Sequence, residues 1–308
     1  MQSPKVKRKQ NQANRKVRVL LLLGTIAACL ALIVFLIPPR PSGDNAGKPA
    51  KVPGEGNKAP VEGTDSRQTI GSPPAAMPKP PEREIRIAVV LDDTGYSMGD
   101  LDPFLKFPGN LTFAVLPHLD HSREASEKIE AAGKEVILHL PMEPLGASDP
   151  GPGAINSDQQ EGEVRERLEE AFESVPGAVG VNNHMGSKAT SDAKTIGFVM
   201  KFLKERNKFF LDSKTTSESI VPQVADAYEV RHLDRTVFLD NIVTEEAIQK
   251  QFEQGLEVAR RRGSAVLIGH VKHPEVLHVL NRMYPGLQTM GFKTVKLSQL
   301  LIEEEGKD

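Results

Sequence analysis

From residue 85 to about 302, short apolar runs alternate with longer segments whose apolar residues recur every three or four positions. The runs at 85–91, 111–116, 135–140, 178–181, 209–212, 236–240, 265–269 and 292–297 are predicted strands. They are too uniformly apolar to leave one face in water, as expected of a parallel sheet covered on both sides. The intervening segments 122–132, 163–175, 193–206 and 245–262 carry a helical period. On 163–175, for example, Val164, Leu168, Ala171, Phe172 and Val175 share one face. Ser191 and Thr244 stand where helix caps are expected. Repeated strand–helix units define an α/β fold. Seven or eight of them in about 220 residues suit a (β/α) barrel, regular or distorted, better than a long open sheet. A doubly wound open sheet is the alternative, because spacing alone does not report closure.

The first 84 residues follow other rules. Lys5, Lys7, Arg8, Lys9, Arg15, Lys16 and Arg18 stand in an arm (1–18) without an acid. Residues 19–37 are uncharged and dominated by Leu, Ile, Ala and Val, and a helix of that length rises about 28 Å, close to the thickness of a bilayer core. The expectation is a single transmembrane signal anchor with its basic flank in the cytoplasm. The C-terminal domain (85–308) is then placed on the periplasmic or extracellular side of the inner membrane. Residues 38–84, rich in Pro, Gly, Ala, Lys and Ser, read as a flexible linker.

Composition adds two exclusions. The one cysteine, Cys29, falls in the apolar segment, so the exported part has no disulfide and no thiol chemistry. The net charge of −2 includes the basic arm, so the domain alone is more acidic and nucleic acid is not expected as a partner.

Polar chemistry gathers where the predicted strands end. Asp92 and Asp93 follow the first, His118 the second, and His139 ends the third with Glu143 four residues on. Asn182, Asn183 and His184 follow the fourth, Asp212 ends the fifth, Asp240 and Asn241 close the sixth, and His270 and His273 follow the seventh. In a parallel barrel these ends meet on one face. Each residue alone also has a structural reading: Asp-Asp-Thr-Gly suits a tight strand-to-helix turn, and Asp240-Asn241 an Asx turn. Together they suggest one shared site. Histidines with carboxylates and no thiolate suit zinc or another divalent first-row metal. No Gly-rich loop follows the first strand and no Gly-x-Ser-x-Gly occurs, so dinucleotide, P-loop and serine hydrolase readings fail.

The chain resembles the polysaccharide deacetylase superfamily, in its divergent branch of bacterial envelopes. The resemblance rests on Ile87-Ala-Val-Val-Leu-Asp-Asp-Thr-Gly95, Leu111-Thr-Phe-Ala-Val115, Glu135-Val-Ile-Leu-His139 and Ala265-Val-Leu-Ile-Gly-His270. It is strengthened by His139-Leu-Pro-Met-Glu143, Asn182-Asn-His-Met-Gly-Ser187, Phe210-Leu-Asp-Ser-Lys214 and Val237-Phe-Leu-Asp-Asn241. It implies that Asp93 and His139 bind a divalent metal, most simply zinc, with Glu143 or His184 completing the set. It implies Asp92 as catalytic base and His270 as the group serving the leaving atom. His118, Asn183, Asp212, Asp240, Asn241 and His273 are then expected as substrate contacts or outer partners. Two departures stand out: Glu143 replaces a metal histidine, and Asn182-Asn-His-Met replaces an Arg-Pro-Pro-Tyr type segment. The implied activity is a metal-dependent hydrolase removing N- or O-acetyl groups from an envelope carbohydrate. The alternative is a catalytically inactive glycan-binding or scaffolding protein on the same fold.

Overall fold

The computed structural model describes residues 84–301. The expected basic arm and anchor, and all but the last residue of the expected linker, lie outside the described residues. Among the described residues no helix is long and apolar enough to cross a membrane.

The element order is β1 (Ile85–Thr94), α1 (Met98–Leu105), β2 (Thr112–Val115), α2 (Ser122–Ala131), β3 (Glu135–Met142), α3 (Glu161–Ser174) and β4 (Gly180–Met185). A single 3-10 turn (Ala189–Ser191) leads into α4 (Ala193–Glu205), β5 (Phe209–Asp212), α5 (Val221–Ala227), β6 (His232–Asp234) and β7 (Val237–Phe238). The chain continues with α6 (Glu245–Arg262), β8 (Ser264–His270), α7 (Pro274–Leu287), β9 (Phe292–Thr294) and α8 (Ser298–Leu301). The sheet runs β6-β5-β4-β3-β2-β1-β8-β7, with β9 added beside the start of β1. Every strand pairing in it is parallel.

This is the expected α/β sheet, curled and barrel-like, but strand pairing does not close it. Its two ends are successive parts of one segment. β6 pairs with β5 and β7 with β8, and only Arg235 and Thr236 lie between them. The Arg235 N–H donates to Asp212 O at 2.9 Å, and the Thr236 N–H to Val266 O at 2.8 Å. So short a segment changes partner midway, leaving no length for a ladder between β6 and β7. The predicted strand 236–240 is accordingly cut to two residues.

Alternation along the strands sorts the core into two bodies. Ile87, Val89 and Leu91 pack outward with the helices. Ala88 and Val90 turn inward, to meet Ala114, Ile137, Phe209, Leu211, Val266 and Ile268 across the concave side. Val295, Leu297, Leu300 and Leu301 close this inner body from the far end of the chain. Continuing each inward series by two residues reaches Asp92 in β1, His139 in β3 and His270 in β8. The apolar interior therefore ends in a polar layer at the carboxyl ends of the strands.

Helix ends follow local chemistry. Thr244 caps α6 by accepting from Ala247 N, and Gly263 in the left-handed region (φ 90°) ends it. On α4 the capping residue is Asp192, which accepts from Thr195 N at 2.8 Å. Ser191, the expected cap, instead donates to Ser187 O within the 3-10 turn. Four helices escaped the periodicity reading, and three of them hold proline: Pro103 inside α1, a proline at the start of α5, and Pro274 and Pro285 in α7. Proline is tolerated in a first turn, where its missing N–H is not needed.

Candidate active site

Neighbouring residues in a strand point to opposite faces, so Asp92 and Asp93 would normally diverge. A bulge resolves this. Asp93 takes a left-handed conformation (φ 57°), and the register of β1 against β2 slips between Leu91 and Thr94. Both carboxylates consequently reach the same polar layer, and both are buried.

Asp93 Oδ1 stands 3.4 Å from His139 Nε2 and 3.2 Å from His184 Nδ1, and these two nitrogens are 3.0 Å apart. Ligands about 2.0–2.1 Å from a tetrahedral zinc lie about 3.3 Å from one another, so these three atoms already form a triangle of the right size. Asp93 Oδ1 is moreover buried without a hydrogen bond, a costly state for a carboxylate oxygen and a normal one for a metal ligand. The donor set therefore fits a divalent cation.

Asn182 orients this group. His139 Nδ1 donates to Asn182 Oδ1 at 2.7 Å, which leaves Nε2 directed at Asp93. The Asn182 amide in turn donates to Asp92 Oδ1 at 3.0 Å. One side chain thus sets the ring of His139 and the plane of Asp92. The β3–β4 register, which pairs His139 with Asn182, makes this possible.

A second His/Asp cluster adjoins the first. Asp240 accepts from His270 Nδ1 at 3.0 Å, from the His270 N–H at 2.8 Å and from His273 Nδ1 at 2.8 Å. Both rings meet the same carboxylate through Nδ1, an arrangement that orients imidazoles. With Nδ1 engaged, His270 Nε2 faces inward and lies 4.0 Å from Asp93 Oδ2.

Electrostatics separate the two acids of the pair. Burial pushes Asp92 above the ordinary carboxylate range, against the pull of His139 and His270. For Asp93 burial acts the same way, but His139, His184 and Lys272 outweigh it and hold the carboxyl well below that range. Burial alone would lower His270, and Asp240 more than reverses this and raises it. Asp93 is thus fixed as an anion, while Asp92 is suited to take up a proton and His270 to hold one.

Other expected site residues lie elsewhere. Glu143 is not among the grouped ligands. Its carboxylate accepts from Ser157 N and Oγ at 2.8 and 2.6 Å and from Lys188 Nζ at 2.7 Å. Among the described residues Asp212 has no hydrogen bond or ion pair with a histidine; it accepts from Lys214 N and Ser219 Oγ and pairs with Lys214 Nζ at 3.4 Å. Asn183 fastens β4 to the residue after β5 by accepting from Ser213 N at 2.8 Å. His118 is exposed in the loop after β2, with φ 61° and its ring against Gly153. Asn241 is exposed in the turn after β7. Two contributors were given no role from the sequence, although Asn182 was named there among the polar residues at strand ends. Asn182 shares the inward alternation of His184 and was detectable by it. Lys272 donates to Asp93 Oδ2 at 2.7 Å, and no spacing announces it. Tyr96, two residues past β1, is largely exposed.

A sequence profile described as divergent polysaccharide deacetylase matches residues 89–301, and so takes in both clusters. The chain belongs to that family. Among its relatives is the uncharacterized protein YibQ of Escherichia coli, 37% identical over 220 residues, which are 71% of this chain and 68% of that protein. An uncharacterized protein of Haemophilus influenzae is 33% identical over 195 residues, 63% of this chain and 69% of its own. The crystal structure of an uncharacterized protein of Agrobacterium tumefaciens is similar in fold, with a TM-score of 0.67 at 22% identity, covering 72% of this chain and 92% of that one. Together with family membership, the paired His/Asp clusters give this chain the site architecture of a metal-dependent hydrolase.

Proposed function

We propose that this chain is a metal-dependent deacetylase acting on a carbohydrate of the bacterial envelope, held at the inner membrane by its N-terminal segment. The observation that carries the reading is the triangle of Asp93 Oδ1, His139 Nε2 and His184 Nδ1 beside an independently oriented His270. These three residues would hold the metal, for which zinc is favoured by the nitrogen-rich, thiolate-free donor set. A metal there supplies Lewis acidity toward an acetyl carbonyl and acidifies water.

The chain's own residues supply the proton transfers. Asp92, raised by burial and fixed by Asn182, accepts the proton of the attacking water. Attack forms the new C–O bond, and the bond to the sugar nitrogen or oxygen then breaks. His270 gives its Nε2 proton to that departing atom while Asp240 keeps Nδ1 engaged. Acetate and the free amine or alcohol leave. Tyr96 offers a stacking face for a sugar ring at the rim. The basic arm and the apolar segment 19–37 support the anchor, and the Pro/Gly-rich stretch supports a tether of roughly 35 Å r.m.s. span.

Elemental analysis of the purified chain beside His139→Ala tests this, together with acetate release from acetylated envelope glycans. About one divalent metal per chain, lost in the variant along with acetate release, is the expected result. Metal-free protein after incubation with excess zinc would overturn the hydrolase reading and favour a non-catalytic glycan-binding role.

A further inference from the structure

Asp93 has two oxygens with different surroundings. Oδ1 faces the two imidazoles, whereas Oδ2 accepts from Lys272 Nζ at 2.7 Å. The lysine lies in the turn between β8 and α7, and that turn is fixed. The Val271 N–H donates to Asp92 O at 3.3 Å, and the His273 N–H to His270 O at 3.2 Å. The stem therefore rises from beside the base and the proton donor, and the side chain remains 53% exposed while its partner carboxylate is 8% exposed.

A half-exposed ion pair is ordinarily a minor surface contact. Here the carboxylate is a buried member of the ligand triangle, so the ammonium is the outer partner of a metal ligand. Its charge also changes the balance of the site. Lys272 adds a positive charge directly on the outer oxygen of Asp93, and its exposed stem sets that charge at the solvent-facing edge of the site. A cation near a metal repels it and attracts anions, and both effects are strong where water is scarce.

We propose that Lys272 is a charge-setting residue of this centre: its ammonium on Asp93 Oδ2 loosens the metal and strengthens the hold on the carbonyl oxygen of the substrate as that oxygen becomes negative, and on the acetate product. The proposal rests on the metal-dependent reading of the site. It makes Lys272 a positioning residue, because it acts through Asp93 and through charge. Removing the charge therefore has two effects of opposite sign, which simple loss of packing does not produce.

The experiment uses the full chain, its Lys272→Met variant and its Lys272→Arg variant. Cobalt(II) affinity is measured by competition with a chromophoric chelator, and acetate affinity by titration of the visible spectrum of the cobalt-loaded protein. Melting of the metal-free proteins establishes that all three are folded. Lys272→Met is expected to bind cobalt about tenfold more tightly, the lower end of the scale on which outer partners of ligands act. It is expected to bind acetate about tenfold more weakly, and Lys272→Arg to stay near wild type in both. Unchanged cobalt and acetate affinities in Lys272→Met, or weaker cobalt binding, overturn the charge-setting role while leaving the metal site intact. A wild-type chain that takes up no cobalt overturns the hydrolase reading itself, and the role of Lys272 falls with it.

Discussion

At residue scale, the site depends on Asp93 being turned against the rule of its strand. A left-handed aspartate is tolerated better than most side chains, yet it still costs free energy that surrounding contacts must offset. What it secures is two acids on one face, one raised by burial and the other held low by His139, His184 and Lys272. Asn182 then links them to the histidines by two hydrogen bonds. Asn182→Ala removes the acceptor that fixes His139 and the donor that fixes Asp92. Metal affinity is expected to fall roughly 10–100-fold, with a further loss of acetate release at saturating metal. Isothermal titration on folded variant protein checks the first effect and a saturating-metal assay the second. A variant with wild-type affinity would show that the ring of His139 is held by its packing alone.

At the scale of elements, the end of β3 joins two loops through Glu143. Its carboxylate binds Ser157 and Lys188, and its carbonyl accepts the N–H groups of Lys188 and Ala189. Burial opposes ionisation of Glu143, but Lys188 and Ser157 prevail and hold its carboxyl at about 2, below the ordinary 4.5. A depressed folded value contributes stability above the unfolded value, and this is lost as pH falls through the folded one. Glu143→Gln is therefore expected to cost about 1 kcal/mol at pH 7, a figure reduced for the half-exposed Lys188. The difference between variant and wild type should close as pH falls from about 4.5 toward 2, as read from urea midpoints at each pH. Metal stoichiometry should be unchanged, since the Glu143 carboxylate lies outside the ligand triangle. The strand pattern was legible at this scale because fully buried parallel strands have an unmistakable composition. The proline-bearing helices were not, because proline reads locally as an interruption, whether in a first turn as in α5 and at Pro274 or inside a helix as at Pro103 and Pro285.

At the scale of the whole molecule, the centre gathers β1, β3 and β4 through the ligands, and β7 and β8 through Asp240 and His270. The curled sheet has no ladder between β6 and β7, so a group that ties its strands together should matter to global stability. A ligand that binds only the folded state stabilises it in proportion to the logarithm of its excess over Kd. At a hundredfold excess this is about 2.7 kcal/mol. Zinc added to metal-free protein is expected to raise Tm by roughly 5–11 °C, with reversal by chelator, as read by calorimetry. Identical melting curves with and without metal would mean that the strands hold the triangle in place unaided.

The sequence alone determined a field of candidates, the acids, asparagines and histidines gathered at the ends of apolar strands. It did not separate those with structural partners, such as Asp212, Asn183 and Glu143, and it did not include Lys272. It did determine the α/β class, since burial on both faces leaves an uninterrupted apolar run. Only the tertiary structure decided which of those residues meet. The bulge at Asp93, the β3–β4 register that sets Asn182 against His139, and the turn that brings Lys272 to Asp93 each depend on shifts of a single residue. A shift of that size reverses the direction of a side chain without changing composition or period. Glu143 illustrates the same limit: it lies four residues beyond His139, just past the end of β3, yet its carboxylate is directed into a loop and not to the Asp93–His139–His184 group.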